Sequence, residues 1–140
     1  MAIQRPSADT SGPIFNFQKT RNTATDGHTV VVSGDSVGTV SFQASDGDQF
    51  VTGARIRATV DGTPGDNDMP TRLGFWTTND GSATVAERVI VGPEGGLFIL
   101  DGITAPAART GFAVIYVDTA DGDLKVKFAD GTTKVLAADT

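Results

Sequence analysis

The sequence contains no cysteine, one histidine, one tryptophan and one tyrosine, and its only glutamates are Glu87 and Glu94. Each scarcity removes a class of chemistry. Without cysteine there are no disulfides, no thiolate zinc sites and no thiol nucleophile, and nothing reports the redox compartment. With His28 alone, a hydrolytic triad would have to form around a single turn residue, and no Gly-x-Ser-x-Gly elbow accompanies it. The plainer reading of His28 is a solvated turn side chain. Positive charge is also short. Eleven Lys and Arg stand against 17 Asp and Glu, for a formal charge of -6, a balance that repels phosphate backbones and excludes nucleic acid as an expected partner. The longest apolar run, Phe112 to Val117, falls far short of the roughly 20 residues of a spanning helix, so no membrane partner is expected either. The opening Met1-Ala2-Ile3-Gln4-Arg5-Pro6 lacks the pattern of a secretory signal, and synthesis in a cytoplasm is the expectation.

What the chain does have is turns. Its 140 residues include 17 Gly and 6 Pro, and Asp-Gly recurs at 26–27, 46–47, 61–62, 80–81, 101–102, 121–122 and 130–131, each pair able to supply the positive φ of a tight hairpin. Between the turns lie short segments rich in Val, Ile, Thr and Phe, which read as strands. The spacing predicts strands over 14–19, 29–32, 37–44, 50–60, 71–77, 87–91, 97–100, 112–117, 123–128 and 133–136. Ile56, Ala58 and Val60 alternate with Arg55, Arg57 and Thr59, as Val40, Phe42 and Ala44 do with polar neighbours, so these strands should be wet on one face. Residues 112–117 are apolar on both faces and read as a central strand covered twice, the second time by another subunit. The predicted class is therefore all-β, an antiparallel sandwich or roll with a C-terminal hairpin module. An N-terminal arm (1–20) precedes a main β domain (21–102), and a small-residue connector (103–110) acts as a hinge before the hairpin module (111–140).

Candidate chemistry is sparse. Asp46-Gly47-Asp48, Asp66-Asn67-Asp68 and Asp121-Gly122-Asp123 could offer oxygens to a hard cation, but none has the EF-hand spacing, and hairpin turns favour the same residues for conformational reasons. Gly92-Pro93-Glu94-Gly95-Gly96 is interrupted by proline and followed by no helix, unlike a phosphate-cradling loop. Paired carboxylates for glycoside cleavage have no recognisable setting. No catalytic residue, metal or cofactor is assigned, and an enzyme is not expected. Phe75 and Trp76 are neighbours on one strand and must face opposite sides, which sends one aromatic outward and suggests an interface.

Two stretches carry a resemblance. The run Val32-Ser33-Gly34-Asp35-Ser36-Val37-Gly38-Thr39-Val40-Ser41-Phe42-Gln43-Ala44, continuing through Asp46-Gly47 to Gly53-Ala54-Arg55-Ile56 and on to Glu87-Arg88-Val89, is similar to a module of bacteriophage tail-fibre and virion surface proteins. Tyr116-Val117-Asp118 with Asp121-Gly122-Asp123-Leu124-Lys125-Val126-Lys127-Phe128 resembles the terminal hairpin of such fibres. The resemblance implies a virion structural protein forming an intertwined homotrimer. The reading it favours is a capsid decoration, or cement, protein at the virion surface that binds the major capsid protein or another virion protein and stabilises the head shell. The alternative is a short tail-fibre or receptor-binding trimer. Fibres of this kind are usually longer, with a tail-attachment region and often a self-cleaving chaperone, neither of which appears in these 140 residues. On this reading Arg5, Lys19 and Arg21 are the cations of a capsid-contacting arm, and Phe112, Val114, Tyr116 and Trp76 line the trimer interface.

Overall fold

The computed structural model describes residues 2–139. Eight strands run in sequence: β1 (Ser36–Ser45), β2 (Phe50–Val60), β3 (Thr71–Thr78), β4 (Val85–Val91), β5 (Leu97–Ile99), β6 (Val114–Val117), β7 (Leu124–Lys127) and β8 (Thr133–Ala137). No helix occurs among the described residues. The protein is all-β, and within each sheet every strand pairs antiparallel with its neighbour in sequence, giving a sheet in the order β1-β2-β3-β4-β5 and a second in the order β6-β7-β8.

The turn chemistry works as the Asp-Gly pairs predict, with one variation. Glycine takes the positive φ in six of the seven pairs, but at 26–27 it is Asp26 that does so, with φ of 59°. Gly27 is needed for another reason. A Cβ there would lie 2.5 Å from the Asn22 side-chain oxygen, which accepts the Ala24 amide and helps close the loop.

The predicted strands are corrected at three segments. Residues 14–19 and 29–32 form no strand, because their backbone finds no ladder within the chain; around Thr29 the amide instead donates to the Thr20 hydroxyl and the carbonyl accepts from the Arg21 amide. Residues 112–117 do not form a central strand, since β6 begins at Val114 and lies at the edge of its sheet. The side chains of Val40 and Phe42 on β1 and of Leu73 on β3 stay exposed, so no second layer of the same chain covers the five-stranded sheet there. Ile103 donates its amide to the Val117 carbonyl and accepts from Thr119, a short parallel bridge that stitches 103 to the end of β6.

The interior is small. Val31, Val60 and Tyr116 are the buried apolar side chains among the described residues. Val60 and Val31 mark one nucleus, where the chain entering β1 crosses the end of β2. There the Gly34 amide donates to the Val60 carbonyl and the Val60 amide to that of Asp35.

Candidate functional site

The register of the five-stranded sheet sorts its side chains into two unlike faces. One row pairs Val40, Ile56, Phe75, Val89 and Ile99 across all five strands, and the next pairs Gly38, Ala58, Leu73, Val91 and Leu97. A third row adds Phe42, Ala54, Thr77 and Ala86. None of these residues is charged. The opposite face aligns Ser41, Arg55, Trp76 and Glu87, flanked by Arg72 and by a row of Thr39, Arg57, Gly74, Ile90 and Phe98 that is charged on β2 and apolar on β4 and β5. The change of parity that brings Glu87 beneath Trp76 comes from a bulge on β4 at Arg88, which separates the Phe75–Val89 pair from the Trp76–Glu87 pair.

On the charged face the arginines cover the aromatic. The guanidinium groups of Arg55 and Arg57 each lie 5.8 Å from the Trp76 ring centroid, within cation–π range. Arg72 approaches Asp61 at 3.3 Å and Glu87 at 3.5 Å. Gly74, which is buried, leaves the space into which the Glu87 carboxylate and the Trp76 indole nitrogen fold. The alternation read from the sequence is therefore correct, while the burial is inverted. The arginines and Trp76 are half-buried by one another, whereas on the apolar face Phe42 is 54%, Leu97 66% and Phe75 39% exposed. Nothing in the sequence reveals this inversion, because alternation shows which face is apolar and not whether the chain has a layer left to cover it.

The residues proposed for a trimer interface do not share a surface. Trp76 belongs to the charged face. Tyr116 is 1% exposed, so its own chain already covers it. Val114 on the same strand is half-buried, and Phe112 projects from a turn closed by the Arg109–Phe112 bridge, with the Arg109 guanidinium 5.0 Å from its ring.

The proposed arm cations are largely engaged at home. Arg5 pairs with Asp9 at 2.9 Å. Arg21 makes a two-pronged contact with Asp35, both distances 2.7 Å, which fastens the incoming segment to the start of β1. That guanidinium, with the Val32 amide, holds the Asp35 carboxyl well below the usual carboxylate range, and Asp35 in turn raises the pKa of Arg21. Lys19 donates to the Thr20 carbonyl and lines a groove of about 560 Å³ together with His28, Val31, Pro64, Asp66 and Met69.

Here the Thr63–Met69 loop meets the N-terminal segment, and His28 makes no side-chain hydrogen bond to an acid or hydroxyl among the described residues.

The acidic turns use their oxygens on the backbone. Asp46 accepts from the Asp48 and Gln49 amides, and these bonds lower its pKa. Asp130 accepts from the Thr132 amide. Among the described residues no three acidic or histidine side chains converge as a cation site would require. Sequence reasoning missed one cluster. Lys125 Nζ lies 3.0 Å from Asp118 and 2.5 Å from Asp121, clamping the β6–β7 hairpin. Its two partners raise the Lys125 pKa, and their own are lowered, that of Asp118 chiefly by the Ala120 amide and that of Asp121 chiefly by Lys125. The i,i+4 spacing of Asp121 and Lys125 across a turn was the available signal.

No protein-family model matches the chain. No curated protein matches it either. The functional reading therefore rests on the surfaces just described and on the motifs in the sequence.

Proposed function

We propose that the protein is a homotrimeric structural component of a bacteriophage virion, a capsid decoration protein that fastens neighbouring capsomers of the head shell. The observation that carries the need for partners is the exposed area. The chain exposes 10070 Å², where a compact monomer of its mass exposes about 6,900 Å². The excess of about 3,200 Å² matches obligate subunit contact rather than a free globule, since a standard interface removes about 800 Å² from each partner and obligate ones remove more. The virion assignment comes from the resemblance of residues 32–89 and 116–128 to phage surface modules. A protein that binds only the assembled lattice stabilises it by mass action.

The test uses phage particles made with and without the protein. Particles lacking it are expected to release their genome at a lower temperature, and adding the purified protein should restore the original value. Unchanged particle stability, or immunogold label confined to the tail, overturns the decoration reading; the latter result favours the fibre alternative.

A further inference from the structure

We infer that the apolar face of the five-stranded sheet is the surface through which copies of this chain associate, with the Arg55–Trp76–Arg57 face turned outward. The inference rests on the assembly proposed above and names the contact it uses. Three observations converge on it.

The first is chemical. Rows running from β1 to β5 place Val40, Phe42, Ile56, Leu73, Phe75, Val91 and Leu97 on one side, all exposed in the single chain. Exposed apolar patches on soluble monomers rarely exceed a few hundred Å², and this one spans a whole sheet. The second is electrostatic. Copies with a charge of -6 repel, yet they can meet on this face without burying any charge, because its rows contain none. Contact through the opposite face would bring Arg55, Arg57 and Arg72 against their own copies. The third is area. The surplus of about 3,200 Å² leaves each subunit enough surface for two contacts of obligate size.

The N-terminal segment extends the same surface. Phe17 lies against Gly38, where a Cβ would come within 2.6 Å of its ring, and Phe15 packs edge-on to Phe17 at 4.7 Å. With Val40, Ile56, Ala58 and Leu73 these rings border an apolar groove of about 270 Å³. A side chain of a neighbouring copy would fill it.

The absence of cysteine makes the test clean, because a single introduced thiol is the only one present. Phe75→Asp and Val40→Asp place a carboxylate on the apolar face at positions the single chain leaves exposed; Arg55→Ser alters the other face. Sedimentation at micromolar concentration should show the wild type and Arg55→Ser as one oligomer and the two Asp variants as folded monomers by circular dichroism, with association weakened by at least about 100-fold. In parallel, Phe42→Cys should resist a maleimide reagent in the oligomer and react on dilution, while Ser41→Cys reacts throughout.

An oligomeric wild type whose Asp variants still associate, with position 42 as reactive as 41, overturns this surface and leaves the assembly reading intact. A wild type that sediments as a monomer at every concentration overturns both. Protection of position 42 only on mixing with isolated phage heads overturns the second copy as occupant and assigns the face to the shell.

Discussion

Gly74 shows how much of the charged face depends on one missing side chain. A Cβ at this position would run into the Glu87 carboxylate and come within 2.7 Å of Trp76 Nε1. Both groups are themselves held, Glu87 by Arg72 and Trp76 by two guanidinium groups, so neither can withdraw without giving up its cationic partner. Gly74→Ala should therefore destabilise the fold by about 1–3 kcal/mol, the range for overpacking a filled site. Gly53→Ala is the control. It lies on β2, has no positive φ, and its Cβ would meet nothing nearer than the Phe42 carbonyl at 3.9 Å. Urea unfolding of the two variants checks the contrast, and equal midpoints would show that the Glu87–Trp76 cluster yields freely.

The strands illustrate which features a sequence encodes locally. Where a segment alternates and is bounded by an Asp-Gly turn, as 50–60 is, its strand was legible almost to the residue. Residues 14–19 and 29–32 have strand-like composition but no partner strand in the chain, and propensity without a ladder leaves the backbone irregular. The edge position of β6 was equally hidden, because apolar residues on both faces are compatible with an edge strand that another element covers. The Arg21–Asp35 contact spans 14 residues, beyond the reach of any periodicity argument, and in the sequence Arg21 reads as a cation of the capsid-contacting arm. Its role in holding the segment ahead of β1 is open to direct test. Arg21→Gln should increase limited proteolysis within residues 20–32 severalfold while the far-UV signature of the sheets stays unchanged; an unaltered digestion pattern would show that the segment is held without this contact.

Across the whole molecule, the carboxylates act together. Asp9, Asp35, Asp46, Asp118, Asp121 and Asp130 all titrate below the ordinary 3.8 in the folded chain, through backbone amides and cationic partners. A carboxylate with a depressed folded pKa contributes its stability above the unfolded value and loses it as the pH falls through the folded one. Lys125 is raised above 10.5, so its contribution is complete below that value and is lost as the pH rises past it. Urea midpoints should be level from about pH 5 to about pH 10 and fall on either side, most clearly below pH 4. A midpoint as high at pH 3 as at pH 7 would contradict the role given to these acids.

The meander order of both sheets sets the tempo of assembly. Because each strand hydrogen-bonds to the one made just before it in its sheet, each sheet can form hairpin by hairpin within the single chain. Meeting another copy is a bimolecular step, slower at low protein levels. On the association inferred above, newly made chains would pass through a brief sticky stage whose length is governed by dilution, and a higher concentration of chains would shorten it.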